Sequence, residues 1–162
     1  MKKYSWVLIL ANLLLFLGVF NYSILKKEQL MEGGTLALME LAPVDPRSLI
    51  QGDYMRLDYV LGQKMAMDSI PDKGLCALEI DGRGVAKNIR YIQNTGELKS
   101  GEVPIKYSKR SRGGLRFGAE SYFFQEGKAE KYEKAEYGGI RIDEYGNSLL
   151  MGLFSNELKK ID

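Results

Sequence analysis

Histidine is missing from this sequence of 162 residues, and cysteine occurs once, as Cys76. The absence of histidine removes the commonest general base and the commonest metal ligand, and with them every Ser-His or Cys-His nucleophile pair. A single cysteine forms no intrachain disulfide, and the two counts together exclude the usual zinc and iron–sulfur sites. We therefore expect no metal and no cofactor. The apolar run LCALEI around Cys76 predicts a buried, unreactive thiol.

An excess of charge of either sign is also missing after the N-terminus. Of the 23 lysines and arginines, Lys2 and Lys3 precede a long apolar run, which leaves 21 basic residues against 21 acidic ones. Interspersed charges without a net excess argue against a nucleic-acid-binding protein. No glycine-rich phosphate loop precedes a predicted helix, so nucleotide binding has no support.

The most informative feature that is present is a run of twenty residues without a formal charge, 6–25. Twenty helical residues span about 30 Å, the thickness of the hydrocarbon core of a bilayer. The basic start also suits a cleaved signal peptide, but the apolar region of a signal peptide is usually about 7 to 15 residues long. No small-x-small cleavage site follows the run. We therefore predict an uncleaved signal anchor that contacts the lipid bilayer, with a cleaved signal as the alternative.

The charges around this run favour a cytoplasmic N-terminus. Lys2, Lys3 and the terminal amine favour that orientation, although Lys26 and Lys27 oppose it. We expect a single-pass protein of the bacterial inner, or cytoplasmic, membrane with its C-terminal domain outside the cytoplasm. The predicted organisation is a cytoplasmic tail at 1–5, a transmembrane anchor at 6–25, a juxtamembrane linker at 26–34 and one domain at 35–162.

Short strands separated by glycine turns dominate the sequence after the anchor. In the segment 51–62, QGDYMRLDYVLG, strict alternation places Met55, Leu57 and Tyr59 on one face of a strand. Tyr54 has the opposite parity from Tyr59, so the two rings are expected on opposite faces. This pattern is typical of an antiparallel strand that is buried on one side.

Hairpin turns are predicted at 81–84 and at 144–147, where Asp-Gly and Gly-Asn suit tight turns. The spacing in 126–137 predicts a helix with Gly138 as its C-terminal stop. The basic stretch 106–112 is interpreted as a solvated loop or, alternatively, as a contact with anionic headgroups or a partner. Seven or so strands and one helix predict a mainly β fold: an antiparallel barrel-like or sandwich-like domain behind an N-terminal transmembrane helix.

The segment 52–59, GDYMRLDY, matches Gly-Asp-Tyr-x-x-Leu-x-Tyr and so resembles the bacterial GDYXXLXY family of membrane-anchored proteins. The preceding DPRSL at 45–49, the later FGAESYFFQEG at 117–127 and the closing hairpin at 146–153 resemble further parts of that family. The resemblance implies a membrane-anchored domain. It also implies a multi-pass membrane protein as partner, because genes of this family often neighbour genes for such proteins. It implies no reaction.

Two interpretations of the motif stay open. As a folding device, Asp53 accepts backbone amides in a turn and pairs with Arg47, while the aromatic residues pack. As a binding site, Asp45, Arg47, Asp53 and Tyr54 form the wall of a groove. The candidate binding residues are Asp45, Arg47, Asp53, Tyr54, Tyr59, Tyr122, Phe123 and Glu126.

Neighbouring aromatic residues at 122–124 alternate in parity, so at least one ring is expected on the surface, where it would mark a partner site. We expect a membrane-anchored extracytoplasmic interaction module, not an enzyme, that docks onto an integral membrane partner. One alternative is a degenerate hydrolase-like domain that binds a peptide or envelope ligand. Another is a hydrolase with a Ser-Lys or carboxylate site. The element around Gly52-Asp53 resembles type I signal peptidases, but Val44 occupies the position of the nucleophile, with Ser48 nearby.

Overall fold

A computed structural model describes residues 4–42, 54–65, 69–111, 113–125 and 127–161. The fold is mainly β with one long N-terminal helix, as the sequence predicts. The elements in the described ranges are α1 (Ser5–Gly33), β1 (Thr35–Glu40), β2 (Tyr54–Arg56), α2 (Val60–Lys64), β3 (Lys73–Ile80), β4 (Ala86–Ile92), a 3-10 helix (Thr95–Glu97), β5 (Glu102–Lys109), β6 (Leu115–Arg116), β7 (Ser121–Phe123), α3 (Ala129–Tyr132), β8 (Tyr137–Ile142) and β9 (Ser148–Phe154).

Helix α1 is uninterrupted over its 29 residues. It is long and apolar enough to cross a membrane, and the large apolar side chains of its uncharged part are exposed instead of packed on the domain. Residues 26–33, which the sequence assigns to a linker, continue the helix. Lysine, glutamate, glutamine, leucine and methionine in this segment are all good helix formers, so nothing ends the helix before the glycine pair at 33–34.

Three antiparallel sheets are seen in the described part of the chain, with strand orders β1–β8–β9, β2–β7 and β4–β3–β5–β6. Backbone hydrogen bonds join them into a curled half-barrel. The amide of Leu38 in β1 donates to the carbonyl of Gly84 at 2.8 Å, and the amide of Lys106 in β5 donates to the carbonyl of Gly146 at 2.8 Å. The amide of Ala42 donates to Asp58, 2.7 Å away, and so joins β1 to the segment after β2.

The half-barrel encloses one apolar core. No buried residue in the described ranges is polar or charged. Cys76 in β3 is fully buried, and burial raises the pKa of its thiol to about 12, as expected for an unreactive cysteine. The largest fully buried side chains come from the two larger sheets and from Leu57, directly after β2, and are Met39, Leu57, Leu78, Ile92, Ile105, Ile140, Ile142 and Leu153.

Both predicted hairpins are present, but the strand expected at 51–62 is shorter than predicted within its described part, which begins at residue 54. In residues 54–62 the strand covers only Tyr54–Arg56, and Val60–Lys64 is helical. The predicted alternation is nevertheless confirmed, because Leu57 and Tyr59 are buried and Met55 packs against the same core.

The helix predicted at 126–137 was wrong except for the single turn of α3. Glu136 lies directly before β8, and its backbone bonds to both neighbouring segments: its carbonyl accepts the amide of Leu41, after β1, at 2.8 Å, and its amide donates to the carbonyl of Phe154 in β9 at 3.0 Å. These sheet hydrogen bonds override the local helix propensity. Gly138 is therefore not a helix stop but a residue of β8.

The solvated loop predicted at 106–112 was also wrong for most of its length. Lys106 and Lys109 lie in β5, where Lys106 pairs with Leu75 of β3. Arg110 is mostly buried and forms an ion pair with Asp58. Pairing with β3, which sequence spacing does not reveal, extends the strand into this basic segment. Arg112 lies outside the described residues.

We expect Gly138→Ala to lower the free energy of unfolding by about 1 to 3 kcal/mol, because it overpacks the core. A Cβ at this position would stand 2.9 Å from Cε1 of Tyr59, whose buried ring has no room to move. The matched control is Gly82→Ala in the β3–β4 turn, where a Cβ meets nothing within 4 Å. Denaturant unfolding of the full chain in detergent micelles measures both variants. Equal losses for the two would contradict the proposed contact.

Candidate functional site

The two-stranded β2–β7 sheet, here called the ribbon, brings together the two sequence blocks that carry the candidate residues. Its register pairs Tyr54 with Phe123, Met55 with Tyr122, and Arg56 with Ser121. Residues 54–56 of the motif and residues 121–123 of the aromatic block are far apart in sequence but are therefore neighbours in space.

One side of the ribbon packs on an aromatic cluster made of Tyr122, Phe124 and Tyr132. The ring centroids lie 5.0 Å apart for Tyr122 and Tyr132, and 5.4 Å apart for Phe124 and Tyr132. Residues 122 and 124 share a face because side chains alternate along a strand, and the turn of α3 brings Tyr132 against both. Tyr132 is buried and the other two rings are half-buried. The cluster gives the ribbon a rigid inner face.

Phe123 points the other way and is 75% exposed. The expectation of at least one surface ring in this block is thus confirmed. Aromatic residues of this kind are enriched in protein–protein interfaces relative to the rest of the protein surface.

Tyr59, in contrast, belongs to the core. Its hydroxyl donates a hydrogen bond to the carbonyl of Ala119, and its ring meets the ring of Phe117 edge to face, with centroids 6.0 Å apart. Burial, with a smaller contribution from Glu120, raises the pKa of Tyr59 well above its ordinary value, so the phenol stays neutral. Leu57, two residues earlier, is fully buried. These two motif residues act in folding.

Glu120 shapes the loop that receives Tyr59. Its carboxylate accepts the backbone amides of Phe117 and Gly118, and the hydroxyl of Ser148 in β9 donates to the carbonyl of Phe117. The loop between β6 and β7 is thereby held in place, with the Ala119 carbonyl facing Tyr59. Glu120 thus serves as an acceptor for loop amides.

The ion pair between Arg110 and Asp58 was missed by sequence reasoning. It joins the end of β5 to the segment after β2, and the side chains are 14% and 32% exposed. The alternation of the motif placed Asp58 on the polar face, but nothing in the sequence pattern connects that face with Arg110.

Four of the eight candidate residues, Asp45, Arg47, Asp53 and Glu126, lie outside the described residues. Tyr54 is described only through its backbone. The groove interpretation of the motif therefore stays a prediction. Among the described residues, no group of three acidic or cysteine side chains is placed to hold a metal ion.

The joint between α1 and the domain is a second feature that sequence reasoning missed. Gly34 ends the helix, and its amide donates to the carbonyl of Leu30 at 3.1 Å. Nη1 of Arg141 in β8 donates to the carbonyl of Gly34 at 2.5 Å. Leu30 is buried against the domain. A Cβ at position 34 would lie 2.7 Å from the Leu30 carbonyl oxygen and 3.1 Å from that of Ile142, so only glycine fits.

We expect Tyr59→Phe to lower the free energy of unfolding by about 1 to 3 kcal/mol, because it leaves the buried carbonyl of Ala119 without a donor. The control is Tyr145→Phe, which removes a hydroxyl from an exposed side chain and is expected to change stability by less than about 0.5 kcal/mol. Denaturant unfolding in micelles compares them. A Tyr59→Phe variant as stable as the unmodified chain would show that the hydroxyl is not a structural donor.

A family model described as GDYXXLXY protein matches residues 16–153, which is most of the chain. No curated protein and no solved structure matches it.

Proposed function

The chain belongs to the GDYXXLXY family, and we propose that it acts as a membrane-anchored extracytoplasmic interaction module that docks onto an integral membrane partner without catalysing a reaction. The observation that carries the proposal is the unbroken passage of α1 into the β domain. Such a joint holds the domain in one orientation relative to its anchor.

The anchor itself is supported by the composition of α1. Its uncharged part is bracketed by lysines, and Trp6 and Tyr22 stand near its two ends, where aromatic residues favour the interface between membrane and water. Asn21, near the second end, satisfies its own amide by donating to the carbonyl of Leu17 at 2.8 Å. We place the helix in the bacterial cytoplasmic membrane with the tail inside and the domain outside.

The joint sets the height of the domain above the bilayer. With residues 6–25 filling the hydrocarbon core, the eight helical residues 26–33 rise about 12 Å further. Gly34 and Arg141 then fix the direction in which β1 leaves the helix. A domain that searched for soluble ligands would work on a flexible tether, whereas docking beside a neighbour in the same bilayer favours a stiff one.

The ribbon supplies the docking surface in this proposal. Phe123 is its exposed aromatic centre, and the aromatic cluster packs on the opposite face of the strand. Aromatic side chains at the centre of an interface, with charges at the rim, are typical of protein–protein contacts. The partner in this proposal is an integral membrane protein because α1 confines the domain to the surface of the bilayer.

We expect the protein to sediment with membranes, and a periplasm-dependent reporter fused after residue 162 to be active. Replacing Leu14 and Leu15 together by arginine should abolish insertion, since each charge near the bilayer centre costs about 2.5 to 3.5 kcal/mol. Gln29→Arg, beyond the uncharged run, is the matched control and should insert normally. Release of the unmodified protein into the soluble fraction, or a reporter active only in the cytoplasm, would contradict the proposed anchor.

For docking, we expect a photo-crosslinking amino acid at position 123 to capture an integral membrane protein in intact cells. The same residue at position 88, exposed in β4, should not. Gly34→Ala should greatly reduce the crosslink at 123 because it displaces the joint, whereas Gly33→Ala, where a Cβ meets nothing within 4 Å, should keep it.

Phe123→Ser should abolish co-purification of the captured protein and leave thermal unfolding unchanged. Equal crosslinking in the Gly33→Ala and Gly34→Ala chains would show that the joint does not orient the domain. Folded, membrane-inserted protein that captures nothing at position 123 would refute docking through the ribbon.

A further inference from the structure

A cavity of about 630 Å³ lies between the last turns of α1 and the turn that connects β8 to β9. The helix wall includes Lys26 and Lys27, and the opposite wall includes Asp143, Glu144 and Tyr145. The cavity thus adjoins the joint and brings two cations and two carboxylates to its two sides.

The position of this cavity relative to the bilayer follows from the length of the anchor. Its lining begins at Ser23, in the last turn of the uncharged run, and extends up the helix to Gly34. With residues 6–25 in the hydrocarbon core, Lys26 and Lys27 stand at the level of the lipid headgroups. The inference that follows therefore rests on the proposed insertion of α1.

The charges on the two walls do not neutralise each other. Within the described residues, neither lysine and neither carboxylate takes part in an ion pair. The ammonium of Lys26 lies over the ring of Tyr22, 5.1 Å from its centroid. Asp143 is occupied by its own turn, because it accepts the amides of Tyr145 at 3.0 Å and of Asn147 at 2.7 Å. Glu144 is not engaged by the turn amides; it accepts a hydrogen bond from the hydroxyl of Tyr145, and a carboxylate has further lone pairs that can accept protons from a cation.

We propose that this cavity binds the headgroup of a phospholipid that carries both a phosphate and a primary ammonium, as in phosphatidylethanolamine. Lys26 and Lys27 bind the phosphate, and Glu144 accepts hydrogen bonds from the ammonium. The acyl chains lie along the uncharged part of α1. A headgroup with a phosphate and no ammonium leaves Glu144 facing a negative charge, and a trimethylammonium group has no proton to donate. A lipid held in this way braces the domain against its anchor.

The test measures retained lipid on the full chain by native mass spectrometry after purification in detergent. Equal amounts of phosphatidylethanolamine, phosphatidylcholine and phosphatidylglycerol are added. We expect the unmodified chain to retain phosphatidylethanolamine about threefold to tenfold better than the other two, the range for one partly exposed charge-assisted hydrogen bond.

Substitutions test the contributions of the two cavity walls separately. Glu144→Gln should remove the preference for phosphatidylethanolamine while leaving retention of phosphatidylglycerol unchanged or higher. Lys26→Gln combined with Lys27→Gln should lower retention of all three lipids. Glu157→Gln and Lys159→Gln, which break an exposed ion pair beyond the far end of β9, are the matched controls and should change neither quantity. Thermal unfolding of each variant confirms that the domain is intact.

The outcomes distinguish this inference from the proposed function. Membrane-inserted protein that retains the three lipids equally, or whose preference survives Glu144→Gln, overturns the lipid site alone. Displacement of the lipid by inorganic phosphate at matched concentration indicates a site for soluble anions and also overturns it. Protein that never inserts overturns the proposed anchor first.

Discussion

The ring of Tyr59 connects parts of the domain that are distant in sequence, and much of the half-barrel depends on it. It fills the space above Gly138 in β8, meets Phe117 after β6, and donates to the carbonyl of Ala119 before β7. Each contact requires the others, since the ring fits only where β8 lacks a side chain and where the loop presents its carbonyl. The loop is in turn held by Glu120. The second tyrosine of the motif is thus a structural residue, which favours the folding interpretation for that part of the motif.

The same domain is stiff where it meets its anchor. Gly34 leaves no room for a side chain, Arg141 binds its carbonyl, and Leu30 is buried against the sheet. With α1 inserted as proposed, this joint orients the domain, and with it the exposed ring of Phe123, relative to the bilayer. In the same proposed arrangement the cavity at the joint lies at the level of the headgroups, where its charges suit a phospholipid headgroup. In the proposed function, anchor, joint and ribbon together present a surface beside the membrane.

Much of the fold was predictable, and less of the site. The length of the apolar run, the inward face of Leu57 and Tyr59, and both hairpin turns depend on residues close together in sequence, and all agree with the structure. The surface exposure of one ring in the aromatic block also followed from parity alone. The pairing of the motif with that block did not, because β2 and β7 are far apart in sequence and no local pattern reveals which strand pairs with which.

The apolar helix, the mainly β domain and the absence of histidine chemistry follow from the sequence alone, because composition and short-range periodicity carry that information. Where local signals compete with distant partners, the outcome depends on the tertiary structure. Before Gly138, Glu136 forms backbone hydrogen bonds with Leu41 and Phe154 and is not helical. The basic segment around Lys106 is part of β5 because it pairs with β3. The tertiary structure also requires glycine at position 34, since the atoms that exclude a side chain there include the carbonyl of Ile142, far along the chain.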